Sequence, residues 1–344
     1  MLPSYIAISE KVGDEIKRFL GKKDYSMIAV LVDYNTLELC YPRIQLQLPD
    51  HYLIKIDSGE EFKNLTTCEH IWNEMTQAGL DRNSLLINLG GGVIGDMGGF
   101  CAATYKRGID FVNIPTTLLA QVDASIGGKL GIDFKMLKNH IGVFSEPALV
   151  IVDPLFLKTL PDSELRSGFA EIIKHCLIAD QIYWNKLIEN DFLSQSWNQL
   201  IPHSIGVKHQ VVKNDPLETG HRKILNFGHT IGHAIESYYL TSGQKLLHGE
   251  AIAIGMIAEA YLSTRKSSLS SREAEEIKKY ILAVFDKVDI PFEAWNKIVS
   301  LTLQDKKNAK GIVRMALLKT TGECGYDFEV DQLDIIEAIK YYLA

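Results

Sequence analysis

Short apolar runs alternate with amphipathic stretches through the first half of the chain. Residues 27–32, 85–89, 111–114 and 148–152 are rich in Val, Ile and Leu, and each run ends at Asp, Gly or Pro. Continuous apolar runs of this length suit strands buried on both faces, as in a parallel sheet. Residues 12–20 and 68–78 lie between such runs and carry helical periodicity. The alternation predicts a doubly wound α/β domain. The pattern changes after Asp153-Pro154. From Ser163 to about Arg265 the period is 3.6 and strand signals vanish. Ser163-Glu-Leu-Arg reads as a helix start with Ser163 as N-cap. Further helices are expected at 197–213, 229–239, 250–265, 271–285 and 332–343, with a short strand at 313–318. The division predicted is an α/β domain over residues 1–156 and a mainly helical domain over 157–344.

Composition narrows the class. The 344 residues are 46% hydrophobic and 23% charged, which is globular usage and argues against disorder. The net charge of −7 argues against a nucleic-acid partner, which would call for a basic surface. The five cysteines are widely spaced and form no Cys-x-x-Cys, as expected of reduced thiols. The N-terminus lacks a basic segment followed by a long apolar one. Residues 251–262 are the most apolar long stretch, but Glu259 interrupts them and they are too short to span a bilayer. A soluble, cytoplasmic protein is expected, with no membrane partner.

Leu89-Gly90-Gly91-Gly92-Val93-Ile94-Gly95-Asp96 follows an expected strand and enters an expected helix. Glycines there let a backbone approach a ligand, and a helix N-terminus offers N–H groups to a phosphate. The spacing is a variant of the usual dinucleotide loop, and a tight turn with close helix–strand packing is the alternative. Ile114-Pro115-Thr116-Thr117 closes a later strand, placing two hydroxyls where open α/β sheets bind ligands.

His229 and His233 stand four apart on one helix face, and His248 follows in Leu247-His248-Gly249-Glu250. Glu171 sits among Phe169, Ala170, Ile172 and Ile173, and a buried carboxylate needs a partner. Two histidines and a carboxylate are the ligands of a catalytic zinc site. Spacing leaves the pair open: His229 with His233, or one of them with His248. Lys174 is three residues from Glu171 on the same face. Lys129 follows Gly-Gly in an otherwise uncharged stretch, and Lys138, Lys208, Arg222, Lys306 and Lys307 add further cations. Such cations beside a metal and a nucleotide favour an anionic substrate.

Four strings in order carry a specific resemblance. They are Gly-Gly-Gly-Val-Ile-Gly-Asp (90–96), Ile-Pro-Thr-Thr-Leu-Leu-Ala-Gln-Val-Asp-Ala-Ser-Ile-Gly-Gly-Lys (114–129), Leu-Asn-Phe-Gly-His-Thr-Ile-Gly-His-Ala-Ile-Glu (225–236) and His-Gly-Glu-Ala-Ile-Ala-Ile-Gly-Met (248–256). Over residues 33–307 the chain resembles the 3-dehydroquinate synthases, members of the sugar-phosphate cyclases. The resemblance implies a Rossmann-like N-terminal domain that binds NAD and a mainly helical C-terminal domain that binds a divalent metal, zinc or cobalt. The active site would lie in the cleft between them. Glu171, His229 and His248 match the metal ligands, leaving His233 to contact substrate phosphate and aid proton transfer. Asp123, Lys129, Asn139, Lys174, Lys208, Arg222 and Asn226 match substrate-contacting positions, as does one of Lys306 and Lys307. Glu218 falls where the family has a proposed proton acceptor. Asp33, Asn35, Glu60, Lys63, Gly91, Gly92, Asp96, Thr116, Thr117, Lys138 and Thr159 match positions around NAD, beside Asp123 and Lys129. Arg107 matches a phosphate-binding arginine at a homodimer interface. Leu130 and Asp133 depart from the Thr and Asn common in the family.

The resemblance implies conversion of 3-deoxy-D-arabino-heptulosonate 7-phosphate to 3-dehydroquinate and phosphate, in the shikimate pathway to aromatic amino acids. The steps would be oxidation by NAD, phosphate elimination, reduction and intramolecular aldol closure. There are two rival readings: another sugar-phosphate cyclase, which would share the fold, NAD and metal but act on a substrate without the carboxylate, and a metal-dependent polyol dehydrogenase, which releases NADH.

Overall fold

The computed structural model describes residues 2–135, 137–303 and 312–344. It divides into two compact units, Met1–Leu165 and Arg166–Ala344. Lys306 and Lys307 lie outside the described residues.

The first unit is built on a six-stranded sheet. Its strands are β1 (Ile6–Ile8), β2 (Ile28–Asp33), β3 (Tyr52–Ile56), β4 (Leu85–Gly90), β5 (Asp110–Pro115) and β8 (Leu149–Val152). They run in the order β1-β8-β5-β4-β2-β3, and every pairing is parallel. β6 (Lys129–Phe134) and β7 (Leu137–Phe144) form a separate antiparallel hairpin. The helices are α1 (Val12–Leu20), α2 (Tyr34–Leu39), α3 (Tyr41–Ile44), α4 (Leu65–Gln77) and α5 (Gly92–Thr104). The sheet is buried on both faces, which is why its strands read as unbroken apolar runs. Ala29, Leu31 and Leu86 pack with α4 and α5 on one face, while Val30, Val32, Leu85 and Ile87 pack with Val12 and Ile16 of α1 on the other. From β2 the chain steps outward to β3, then returns to the opposite side of β2 as β4. This reversal is the topological switch point, and ligands of open α/β sheets bind beyond the carboxyl ends of the strands there.

The second unit carries α6 (Asp162–Ala179) from Arg166 onward, then α7 (Gln181–Ile188), α8 (Trp197–Asn214), α9 (His229–Ser242), α10 (His248–Lys266), α11 (Ser271–Val284), α12 (Phe292–Leu303) and α13 (Gln332–Leu343). An antiparallel hairpin, β9 (Val313–Thr320) and β10 (Glu323–Val330), joins them. α6 opens at Asp162, so Ser163 sits inside the first turn instead of capping it. α10 is buried from Ala251 to Ala260 on every side, packed by α9, α11, α13 and β9. Its position explains the apolar stretch noted in the sequence: it is the central helix of the unit. Among the described residues no helix is long and apolar enough to cross a membrane.

Candidate active site

In the first unit the nucleotide-site residues expected from sequence gather at the carboxyl edge of the sheet. Asp33 ends β2 and caps α2, its carboxylate accepting from Thr36 N–H at 2.8 Å. Asn35 follows in α2, and its N–H donates to Ser58 Oγ at 3.2 Å. Gly91 is the N-cap of α5 and supplies no side chain, so the first-turn N–H groups of a 13-residue helix face outward from the sheet edge. Thr116 follows β5 and donates its N–H to Gly90 O at 3.0 Å, which sets Thr116 and Thr117 against the glycine turn. Thr116 and Thr159 both lie against the Cys40 thiol, which burial pushes up to about 11.

A second group stands beside this turn. Lys63 is buried, and its ammonium donates to Asp96 Oδ2 and Asn139 Oδ1, each at 2.6 Å. Burial works against the Lys63 cation, but Asp96, Glu60 and Asp133 outweigh it and hold its pKa above the usual value. Lys138 reaches Glu60 at 3.8 Å. Asp133, one of the two departures, accepts the N–H of Asn139 at 2.7 Å and holds that residue at φ 49°. Leu130, the other, is a buried core residue packed with α5. Asp123 lies in a short helical turn after Thr117, and Lys129 opens β6 and is exposed. Arg107 is exposed just past the far end of α5, so about 20 Å of helix separates it from the glycine turn.

In the second unit three helices bring Glu171, His229 and His248 together. Glu171 is on α6 and fully buried. His229 and His248 are the first residues of α9 and α10. The helices can approach because glycine stands at their crossings. A Cβ at Gly255 would overlap the Gly228 carbonyl oxygen, and one at Gly249 would overlap Ser167 of α6. Glu171 Oε1 lies 3.4 Å from His229 Nε2 and 3.5 Å from His248 Nε2. Among the described residues, neither carboxylate oxygen has a hydrogen-bond partner of good geometry. Lys174 pairs with Glu171 Oε2 one turn along α6. Burial opposes ionisation of Glu171, yet Lys174 and His229 hold its pKa well below the usual carboxylate range. His229 Nδ1 lies 3.1 Å from Phe227 O. A carbonyl only accepts, so Nδ1 is the donor in that contact and Nε2 is the ring nitrogen that faces Glu171. Glu236 stands 3.7 Å from His248 Nδ1.

His233 is exposed, its ring 5.0 Å from that of His229 and 5.7 Å from that of His248. The ligand atoms of all three histidines lie within 4.8 Å of one another, so each of the three histidine pairings left open by spacing is admissible. Beside them lies the loop after α8. Asp215 accepts from the N–H groups of Thr219, Gly220 and Arg222 at 3.0, 2.7 and 3.0 Å. Arg222 is 2% exposed, and its Nη1 donates to Pro216 O at 2.6 Å. Asn226 Nδ2 donates to Glu218 Oε1 at 2.9 Å, with Glu218 held at φ 58°. Lys208 is buried on α8.

Sequence reasoning missed three supporting groups: Ser167, Glu236 and Glu259. Ser167 Oγ accepts the Gly249 N–H at 2.9 Å, tying α6 to the start of α10. Glu236 lies three residues after His233 on α9, a spacing that could have flagged it. Glu259 stood alone in the most apolar run of the chain, the same signal that singled out Glu171.

Solved structures share this fold. The chain aligns over 100% of its length with 98% of a 2-epi-5-epi-valiolone synthase from Streptomyces hygroscopicus subsp. jinggangensis with NAD+ and Zn2+ bound, at TM-score 0.87 and 24% identity. It aligns over 97% of its length with 96% of a 2-deoxy-scyllo-inosose synthase complexed with carbaglucose-6-phosphate, NAD+ and Co2+, at TM-score 0.82 and 23% identity. The fold is therefore one shared with these two synthases. The family model for the 3-dehydroquinate synthase N-terminal region matches residues 53–167 and the C-terminal model matches 168–308. A 3-dehydroquinate synthase from Parabacteroides distasonis is 38% identical over 343 residues, 98% of this chain and 97% of the relative. The chain belongs to the 3-dehydroquinate synthase family and is an enzyme with that family's function.

Proposed function

We propose that the enzyme acts as a carbon–oxygen lyase on 3-deoxy-D-arabino-heptulosonate 7-phosphate, releasing 3-dehydroquinate and phosphate, with NAD and a divalent zinc or cobalt ion as cofactors. The observation that carries the reading is the spacing of Glu171, His229 and His248. Ligand atoms about 2.0–2.1 Å from a tetrahedral zinc stand roughly 3.3–3.4 Å apart. Glu171 Oε1 meets the two Nε2 atoms at 3.4 and 3.5 Å. These three residues would hold the ion, and the exposed His233 is left for substrate phosphate and proton transfer.

The carboxyl edge of the parallel sheet supports the NAD assignment. The α5 N-terminus takes the pyrophosphate, with Asp33, Asn35, Thr116, Thr117 and Thr159 around it, and the Lys63–Asp96–Asn139 group and the Glu60–Lys138 pair beside the glycine turn. When bound, NAD supplies a hydride acceptor and donor, and the metal a Lewis acid, for oxidation, elimination, reduction and aldol closure.

The chain's own residues orient the substrate and move protons. Arg222 and Lys208 are buried cations suited to a carboxylate and lose little further entropy on binding it. Lys174 offsets the Glu171 charge and faces the same space. Glu218 accepts a proton, its carboxylate oriented by Asn226. Asp123, Lys129 and Asn139 complete the substrate contacts, and Arg107 supplies a phosphate contact at a homodimer interface of a soluble, cytoplasmic enzyme.

Phosphate release from the heptulosonate phosphate, with and without NAD+ and a chelator, tests this. The expected result is release that needs both cofactors and leaves no net NADH. Steady NADH formation without phosphate would replace this reading with a polyol dehydrogenase.

A further inference from the structure

α9 begins with a turn that cannot cap itself. Its N-cap, Gly228, sits at φ 80° and has no side chain. The first N–H groups of a helix have no partner within it. Two of them are met from another helix: Glu259 of α10 accepts Gly228 N–H at Oε2, 2.6 Å away, and Ile231 N–H at Oε1, 3.0 Å away. Glu259 is fully buried in a run of apolar and small residues, where a carboxylate costs several kcal/mol unless it is bonded. Burial pushes its carboxyl up to about 8, and in either protonation state at least one oxygen accepts.

The bonds form a chain. Gly228 N–H and Phe227 C=O belong to one planar peptide group. Glu259 grips the N–H end of that group, and the C=O end accepts His229 Nδ1–H at 3.1 Å. The Nε2 of the same ring faces Glu171 Oε1. Glu259 is itself carried by the helix that His248 opens.

We infer that Glu259 is a positioning residue, which holds the Phe227–Gly228 peptide and through it sets the tautomer and direction of His229 against His248 before the metal arrives. The inference rests on the metal reading above. Groups that orient metal-ligating histidines typically contribute 10–100-fold in metal affinity.

The test is zinc affinity of the full-length protein by competition with a chromophoric chelator, for wild type, Glu259→Gln and Glu259→Met. Gln keeps one strong acceptor, whereas Met is of similar length and offers only a weak thioether acceptor. Affinity should fall in that order, by roughly 10- to 100-fold for Met, with a changed absorption spectrum of the cobalt-substituted Gln variant. Folded variants with wild-type affinity and spectrum would overturn the inference, whereas wild type that fails to bind zinc would remove the metal reading itself. Should neither variant fold, amide hydrogen exchange of metal-free wild type decides. Protection of Gly228 and Ile231 equal to that of mid-α9 amides is expected. Free exchange until zinc is added would show that the metal, not Glu259, orders this turn.

Discussion

Lys63 and Asp96 meet at 2.6 Å beside the glycine turn, with Lys63 buried and Asp96 in the first turns of α5. Removing one partner of a buried pair strands the other charge. Asp96→Asn should therefore lower stability by about 3 kcal/mol, read by denaturant unfolding. Lys63→Met removes the buried charge itself and should cost less. The reverse order would mean that the pair does not govern this region.

Glu171→Ala and His248→Ala should each lose metal and activity together, because either change leaves two ligands where the site needs three. Metal content of the dialysed variants, measured beside turnover, reads both. A variant with full zinc and normal turnover would remove that residue from the ligand set.

Arg222→Ala should raise KM and lower kcat, with kcat/KM down roughly 10- to 100-fold, as expected for a lost charge-assisted bond of ~1.5–3 kcal/mol. Unchanged kcat/KM would remove its role as carboxylate clamp.

Asp215 gives a pH dependence with a definite sign. Burial raises its pKa, but the N–H groups of Gly220, Thr219 and Arg222 outweigh that and hold it at about 2, below the ordinary 3.8. A depressed folded-state pKa contributes stability above the unfolded value and loses it as pH falls through the folded one. Asp215→Asn should melt lower than wild type at pH 7, and the gap should shrink between about pH 4 and pH 2. A gap constant over that range would show that the charge is not what orders the 215–222 loop.

The sheet was legible where burial is two-sided. β2, β4, β5 and β8 announce themselves as apolar runs because both faces are covered. β3 escaped notice: it is an edge strand, and only Ile54 and Ile56 of Tyr52–Ile56 are buried. The β6–β7 hairpin and β10 mix apolar with polar residues, and β7 and β10 are partly exposed, so pairing defines them and composition does not. Periodicity found the start of α6, and α8, α9, α10, α11 and α13 to within a few residues, but it did not single out α7 or α12. The metal-site geometry was only half legible. Spacing put His229 and His233 on one face, but the approach of Glu171 and His248 comes from three separate helices meeting at glycines. No local pattern encodes that meeting. The capping of α9 by Glu259 spans 31 residues and was invisible for the same reason.

The position of the ion decides which residues do the chemistry. Crystals grown with zinc and NAD+, measured at the zinc absorption edge, locate it directly. The prediction is one anomalous peak about 2.0–2.2 Å from Glu171, His229 Nε2 and His248 Nε2, with His233 outside bonding distance. A peak held by His229, His233 and His248 without Glu171, or no peak at these residues, would contradict it.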